Sequence, residues 1–162
     1  MENSSTLIPT IDKKPVPDLL LLFDGVCNLC DRSVQFIIRH DPKAKFKFAS
    51  LQSDYTRRLV QGALKEALTP IMQPECQKNA EASLRSIILI KNGQVFDRST
   101  AVIKVLSLLG FPWNLATIIL ILPRALRDPL YNYIARHRYK WYGKKDRCMV
   151  PTPELKTRFM DS

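Results

Sequence analysis

The chain reads Asp24-Gly25-Val26-Cys27-Asn28-Leu29-Cys30 directly after the apolar run Leu19–Phe23. The apolar run predicts a buried strand, and the helical spacing of apolar residues after Cys27 predicts an amphipathic helix that ends before Pro42. A strand that leads into a Cys-x-x-Cys pair at the start of a helix favours thiol–disulfide chemistry, because a helix N-terminus stabilises a thiolate. The second cysteine lies about one turn along the same face, within reach of the first.

This placement predicts a role for each residue of the motif. Cys27, at the helix N-terminus, is the predicted nucleophile, and Cys30, one turn inside and expected to be the more buried thiol, resolves the mixed disulfide. Asp24 is predicted to form a turn with the Cys27 N–H and to relay a proton to Cys30. Asn28 and Leu29, between the cysteines, are predicted to contact substrate or to stabilise the thiolate.

Structural zinc is an alternative use of a Cys-x-x-Cys pair, and it requires two further ligands. Cys76 and Cys148 are isolated from each other, and the two histidines, His40 and His137, are solitary as well. The sequence therefore favours redox chemistry, and we predict no metal site and no cofactor.

The cysteine content and the N-terminal sequence predict the cellular compartment of the protein. The 162 residues contain four cysteines, too few for a disulfide scaffold, and Met1–Asp18 lacks the pattern of a secretory signal. We therefore expect a cytoplasmic protein, in which a Cys-x-x-Cys pair is catalytic rather than a static crosslink. The longest apolar run, Leu115–Leu122, is shorter than the ~20 residues of a membrane span. A buried helix and a helix on a membrane surface are both compatible with it, and we favour the buried helix because the run is apolar on all sides and ends at Pro123.

Positive charge is concentrated between residues 124 and 147, within a chain whose formal net charge is +10. Eight Lys or Arg residues in this segment are interleaved with Tyr131, Tyr133, Tyr139, Trp141 and Tyr142. Such a mixture occurs in nucleic-acid and anionic-membrane binding sites. It also occurs in amphipathic helices with a solvated basic face and aromatic residues packed on the core, which is the interpretation we favour. The competing hypothesis is a redox-sensing module that binds nucleic acid or membrane through this segment.

The order of predicted elements specifies the fold class. Strands are predicted at 19–24, about 46–48, 86–91 and 94–98, and helices after Cys27, after Ser53 and after a cap at Ser99 or Thr100. Asn92-Gly93 predicts a hairpin between the last two strands. A parallel βαβ start followed by an antiparallel hairpin predicts an α/β, thioredoxin-like fold with a mixed four-stranded sheet, flanking helices and a C-terminal helical extension.

This organisation divides the chain into four segments. We expect a flexible N-terminal tail (1–18), a thioredoxin-like core (19–110), a helical extension packed on the core (111–142) and an extended C-terminal tail (143–162). Within the extension, a hydrophobic helix reaches to about Leu122, and a basic-aromatic helix runs from about Arg127 to Tyr139.

Several motifs along the chain resemble those of the DCC family of thiol–disulfide oxidoreductases, which is named for its Asp-x-x-Cys-x-x-Cys motif. They are the stretches 23–30, 46–53, 86–91, 122–128, 136–143 and 147–153, and they span residues 19 to about 160. The resemblance implies a thioredoxin-like oxidoreductase of bacterial type. Its expected partners are a disulfide-containing protein or small thiol substrate and a cellular reductant.

The stretch Ser86–Gly93 is also similar to the third strand and turn of thioredoxin, in which a cis-proline precedes that strand and faces the active-site disulfide. Arg85 stands at this position here, so ordinary protein-disulfide reduction is less well supported. We expect Arg85 either to stabilise the Cys27 thiolate or to be a surface residue. Cys148 is a candidate third thiol near the active site, and Cys76 is not expected to take part.

Overall fold

A central four-stranded sheet organises the chain. The computed structural model describes residues 10–11, 14–62, 65, 68, 87–144 and 155–160. The strands are β1 (Thr10–Ile11), β2 (Lys14–Pro15), β3 (Leu19–Phe23), β4 (Lys47–Ser50), β5 (Ile88–Lys91) and β6 (Gln94–Asp97). The α-helices among the described residues are α1 (Asn28–His40), α2 (Asp54–Gln61), α3 (Arg98–Leu108) and α4 (Arg124–Tyr142), and a 3₁₀ helix covers Trp113–Ile121.

The strand order is β4-β3-β5-β6, in which β3 pairs parallel with β4 and antiparallel with β5. The β5–β6 hairpin closes at Asn92-Gly93, where Lys91 pairs with Gln94, as the sequence predicts. The predicted thioredoxin-like α/β fold with a mixed four-stranded sheet is confirmed. β1 and β2, which lie in the segment expected to be a flexible tail, form a separate antiparallel pair.

Alternate side chains of β3 face the two halves of the core, because successive strand residues point to opposite faces of the sheet. Leu20 and Leu22 are buried in a cluster that includes Leu59 of α2. Leu21 and Phe23 are buried in the cluster on the other face, which α1 and α3 cover with residues such as Val34 and Val105. The carboxyl end of β3 is thereby fixed between two packed layers at the point where the Cys-x-x-Cys motif begins.

The region after α3 differs most from the prediction. The run Leu115–Leu122 is exposed in a 3₁₀ helix, and the predicted buried helix is therefore wrong. The physical reason is that α1 and α3 already cover that face of the sheet, and the 3₁₀ helix packs outside α3. Trp113 alone makes close ring contacts inward, with centroid distances of 4.9 Å to Phe36 and 5.3 Å to His40.

The residues predicted to cap α3 have another function. Asp97 is the N-cap residue, so the predicted cap at Ser99 or Thr100 is wrong. The Ser99 hydroxyl donates a hydrogen bond to Asp128, and the Thr100 hydroxyl accepts one from Arg127 at 3.2 Å. These bonds attach the start of α4 to the start of α3.

The described C-terminal residues, 155–160, pack on the sheet. Phe159 is buried beside Phe48, and the Met160 N–H donates to the Phe48 carbonyl at 2.8 Å. Arg158 forms a buried ion pair with Asp41, with Nη2 and Oδ2 2.5 Å apart. This segment therefore extends the sheet edge at β4.

Candidate active site

Cys27 is the N-cap residue of α1, as predicted. The turn after β3 is closed by the Cys27 N–H, which donates to the backbone carbonyl of Asp24 at 3.3 Å. The Cys27 Sγ accepts the N–H of Cys30 at 3.5 Å, so the thiol occupies the place of a side-chain helix cap. Both thiols are free, and they lie within one turn of each other.

The two thiols have opposite pKa shifts. The pKa of Cys27 is lowered from 9.0 to about 6, chiefly because the Cys30 thiol donates a hydrogen bond to its sulfur. Burial opposes this shift, whereas the backbone N–H groups of Cys30 and Leu29 and the charge of Arg138 add to it. The pKa of Cys30 is raised well above its usual range, first by that same hydrogen bond and then by burial. The geometry therefore supports a thiolate at Cys27 and a neutral thiol at Cys30.

Asp24 is the centre of a buried hydrogen-bond network. Its Oδ1 accepts the Val26 N–H at 3.2 Å and the Gln52 Nε2 at 3.0 Å. Its Oδ2 accepts the Arg138 Nη2 at 2.6 Å and the Tyr139 hydroxyl. The carboxylate thus organises the turn through Val26 rather than through the Cys27 N–H, and most of its contacts hold residues distant in sequence.

Arg138, which sequence reasoning did not select as a site residue, connects this carboxylate to the cysteines. Its Nη1 lies 3.5 Å from the Cys30 Sγ. Burial disfavours its charge, but the Cys30 thiol, the Tyr139 hydroxyl and the Cys27 thiol raise its pKa above the usual value, so it stays protonated. A permanent positive charge therefore lies beside the dithiol.

Tyr139 provides a neutral hydrogen-bond donor in the same network. Burial, followed by the hydrogen bond to Asp24, raises the pKa of Tyr139 to about 12. The hydroxyl consequently remains protonated and continues to donate to Asp24 across the physiological pH range.

The end of α4 covers Cys27. Cys27 forms an isolated antiparallel bridge with Lys144, and the Asn28 Nδ2 donates to the Tyr142 carbonyl at 2.8 Å. Cys27 is 0% exposed, whereas Cys30 is partly exposed, so the prediction that Cys30 is the more buried thiol is wrong. Local helix geometry could not reveal this difference, because the cover comes from residues more than one hundred positions later in the chain.

Gly143 permits the close approach of this covering segment. Its φ of +79° lies in the region that favours glycine, and a Cβ there would lie 3.2 Å from the Asn28 Nδ2. We call Tyr142–Lys144 the covering segment.

Gln52 connects the motif to the end of β4. Its Oε1 accepts the Gly25 N–H at 3.2 Å and the Ser50 hydroxyl at 2.6 Å, while its Nε2 donates to Asp24. The turn before Cys27 is thereby fixed by two neighbouring strands of the sheet.

α4 runs across the carboxyl end of β3. Midway along this helix, the Tyr131 hydroxyl accepts the Ile87 N–H at 3.0 Å, just before β5 begins. Bonds at Asp128, Tyr131 and Arg138 thus hold α4 over the start of α3, the start of β5 and the motif in turn. The basic-aromatic helix is a structural part of the site, and it is longer than the predicted Arg127–Tyr139.

Of the other predicted site residues, the structure describes only Leu29 and Asn28. Leu29 is half-buried and contributes its N–H to the Cys27 thiolate. Asn28 holds the covering segment. Arg85, Cys148 and Cys76 lie outside the described residues, so the expectations for them remain predictions.

Comparisons with known proteins agree with this geometry. A family model described as DCC1-like thiol-disulfide oxidoreductase matches residues 21–144. The protein YuxK of Bacillus subtilis (strain 168) is 43% identical over 145 residues, which cover 90% of this chain and 96% of YuxK. The DCC family protein At1g52590, chloroplastic, of Arabidopsis thaliana is 32% identical over 138 residues, which cover 85% of this chain and 70% of that protein. No solved structure shows a significant match.

Proposed function

The chain belongs to the DCC1-like thiol–disulfide oxidoreductase family, and we propose that it reduces substrate disulfides with the Cys27–Cys30 pair. The observation that carries the proposal is the position of the two thiols: Cys27 caps α1 with its sulfur, and the buried Arg138 lies 3.5 Å from the Cys30 sulfur. The opposite shifts of the two thiol pKa values agree with this geometry. A nucleophilic thiolate next to a protonated thiol is the arrangement that the two steps of disulfide exchange require.

In the first step, the Cys27 thiolate attacks one sulfur of the substrate disulfide. A bond forms between the Cys27 sulfur and that substrate sulfur, the substrate S–S bond breaks, and the other half of the substrate leaves as a thiolate. A pKa of about 6 keeps Cys27 largely ionised at neutral pH while leaving much of its nucleophilicity.

In the second step, Cys30 loses its proton and attacks the Cys27 sulfur. The mixed disulfide breaks, the second substrate thiolate leaves, and the Cys27–Cys30 disulfide forms with two electrons transferred to the substrate. The hydrogen bond that chiefly raises the pKa of Cys30 ends once Cys27 is bonded to substrate. The charge of Arg138, 3.5 Å from the Cys30 sulfur, then favours the Cys30 thiolate.

Asp24 acts mainly as a positioning residue in this scheme. Its carboxylate binds the Nη2 of Arg138 at 2.6 Å, whereas the other terminal nitrogen, Nη1, faces the Cys30 sulfur. The secondary role of Asp24 in proton transfer to Cys30 stays a prediction, because the protonated Arg138 guanidinium that lies between them donates hydrogen bonds and has no lone pair to accept a proton.

A complete cycle requires a second thiol partner. We propose a protein disulfide or a small disulfide as the substrate and a cellular thiol reductant that restores the dithiol, in a reducing compartment such as the cytoplasm. Since Cys27 is fully buried, the covering segment must move before the substrate disulfide reaches it.

Trapping of the mixed disulfide tests the proposal. Full-length Cys30→Ser should accumulate a covalent adduct between Cys27 and a disulfide substrate, detected by mass spectrometry, and Cys27→Ser should form none. Cys76→Ser, a cysteine variant outside the motif, should reduce the substrate at the rate of the parent. Adduct formation through Cys30, or equal reduction rates in all four proteins, would contradict the assignment.

A further inference from the structure

The largest exposed apolar side chains of the described residues all lie between Phe111 and Tyr142. Part of them belong to the 3₁₀ helix and the residues flanking it, and the rest to α4. We call this region the apolar surface and define it by Leu115, Ile118, Ile121, Leu126, Leu130 and Trp141. Single exposed hydrophobic residues are ordinary, but a consecutive set such as this marks an interaction site.

The 3₁₀ helix contributes an apolar stretch without charge. Trp113–Ile121 contains no Asp, Glu, Lys or Arg, and none of its residues is fully buried. Ile121 at its end is 84% exposed. The helix has nine residues, and none of the helices of the described chain is long and apolar enough to cross a membrane.

α4 contributes a stripe on its outer side. Leu126, Leu130, Tyr133, His137 and Trp141 follow one another at intervals of three or four residues, so they share one face of the helix. The His137 ring lies 4.4 Å from the ring of Tyr133 and 5.4 Å from that of Trp141, which makes the stripe continuous. Tyr131 and Arg138, which bond inward to the sheet and the motif, lie on another face.

Positive charges border this surface. Arg124, Arg136, Lys140 and Lys144 are exposed. Asp128, the only acidic residue from 111 to 144, accepts a hydrogen bond from Ser99 on the inner side of α4. Arg136 and Lys140 each follow a stripe residue by one turn. Apolar side chains, interfacial Trp and Tyr, and a cationic border are together the features of a helix that lies in the surface of an anionic bilayer.

We propose that the apolar surface binds an anionic lipid bilayer, with α4 and the 3₁₀ helix lying in the interface rather than spanning it. A symmetric dimer would bring two copies of the same cationic border together, which like-charge repulsion disfavours. A nucleic acid offers phosphates to the border but nothing to the leucine and isoleucine side chains. An anionic bilayer can bind both parts of the surface, because its headgroups attract the cationic border and its acyl chains accept the apolar side chains.

Tryptophan fluorescence gives a direct test, because the chain has only Trp113 and Trp141. Trp113 packs on Phe36 and His40, so the full-length Trp113→Phe protein leaves Trp141, on the stripe, as the reporter. Its emission should shift to shorter wavelength with vesicles of phosphatidylcholine and phosphatidylglycerol in equal amounts, and not with phosphatidylcholine alone. The shift should weaken in ~1 M salt, where the Debye length falls to ~3 Å.

Matched charge variants test whether binding depends on the cationic border itself or only on the net charge of the protein. In the Trp113→Phe background, Arg136→Gln with Lys140→Gln should weaken partitioning about 30-fold, at the usual effect of two cations near an anionic surface. Lys43→Gln with Lys45→Gln removes the same charge from exposed residues outside α4 and should leave binding close to that of the parent. Ile118→Ser with Leu130→Ser should abolish the shift.

Three results would overturn the proposal. They are no fluorescence shift with either vesicle, equal shifts with both vesicles, or partitioning that is weakened as much by the Lys43, Lys45 double variant as by the Arg136, Lys140 double variant. A concentration-dependent dimer that Ile118→Ser with Leu130→Ser disrupts, without vesicle binding by the parent, would assign the surface to self-association instead. None of these results depends on disulfide reduction, so the proposed enzymatic function stands or falls separately.

Discussion

Arg138 and Asp24 form an ion pair, with Nη2 and Oδ2 2.6 Å apart, although 114 positions separate them in the sequence. Their side chains are 4% and 2% exposed. A charge pair buried this completely requires each partner, because the loss of one leaves an unpaired charge in a medium of low dielectric constant. The pair therefore attaches α4 to the turn before Cys27 and at the same time places a guanidinium beside Cys30.

The first prediction concerns Arg138→Gln. The change leaves the Asp24 carboxylate buried without its cation, so the free energy of unfolding should fall by about 3–5 kcal/mol. The pKa of Cys27 should rise, because the Arg138 charge is one of the causes that lower it. Urea unfolding measures the first effect, and the pH dependence of alkylation measures the second.

Arg136→Gln is the matched control for that change, since Arg136 is an exposed residue of the same helix. It should alter stability by less than about 0.5 kcal/mol and leave the pKa of Cys27 unchanged. Equal effects of the two variants would show that Arg138 has no special role in the site.

The second prediction concerns Tyr139→Phe. The hydroxyl donates to a charged acceptor, so its removal should lower the free energy of unfolding by about 1.5–3 kcal/mol. The pKa of Cys27 should remain near its parent value, because Arg138 keeps its charge and its bond to Asp24. Tyr133→Phe, on the outer face of α4, is the control and should match the parent in both measurements. A rise in the pKa of Cys27 as large as that in Arg138→Gln would contradict this division of roles.

The third prediction concerns the dependence of stability on pH. The pKa of Cys27 is about 6 in the folded chain against its ordinary value of 9.0, so between these values the unfolded state binds more protons. The contribution of Cys27 to the free energy of unfolding is therefore fully present above pH ~9 and is lost as the pH falls toward 6. The free energy of unfolding changes over this range by at most ~1.4 kcal/mol per pH unit. Above pH ~9 the slope reverses, because folded Cys30, with its raised pKa, keeps a proton that the unfolded state loses.

Urea unfolding of the reduced parent and of the Cys27→Ser, Cys30→Ser double variant isolates this contribution. The difference in stability between the two proteins should rise from pH 6, reach a maximum near pH 9 and then decline. A difference that does not vary with pH would show that neither thiol is shifted in the folded chain.

The fourth prediction concerns the covering segment, which Asn28 holds through its bond to the Tyr142 carbonyl. Asn28→Ala removes one exposed hydrogen bond worth about 1 kcal/mol, so alkylation of Cys27 by iodoacetamide should accelerate about fivefold. Asn114→Ala, at an exposed asparagine of the 3₁₀ helix, should alkylate at the parent rate. An unchanged rate in Asn28→Ala would mean that this bond does not control access to Cys27.

Local sequence patterns predicted the elements that hold the motif. The apolar run Leu19–Phe23 is a central strand, Cys27 caps α1, and the Ser53 hydroxyl caps α2 by accepting the Thr56 N–H at 3.2 Å. Each of these features depends on residues a few positions apart, so periodicity and capping preferences are sufficient to find them.

Contacts between distant residues could not be predicted in the same way. Arg138 belongs to a segment that, in sequence, is equally compatible with a solvated basic face, and nothing local distinguishes it from the exposed Arg136. Tyr131 and Tyr139 bond inward, as packing of the aromatic residues predicts, but Tyr133, Trp141 and Tyr142 are exposed. Which side chains face inward depends on how α4 lies across the sheet.

The assignment of Cys27 as the nucleophile is tested by the pH dependence of alkylation at each cysteine of the reduced, full-length protein, with the labelled residues identified by mass spectrometry. Cys27 should be labelled before Cys30, and its rate should rise with a midpoint near pH 6, because its thiolate is stabilised by Cys30, by the helix N-terminus and by Arg138. A Cys27 midpoint near its ordinary value of 9.0, or faster labelling of Cys30, would contradict this assignment.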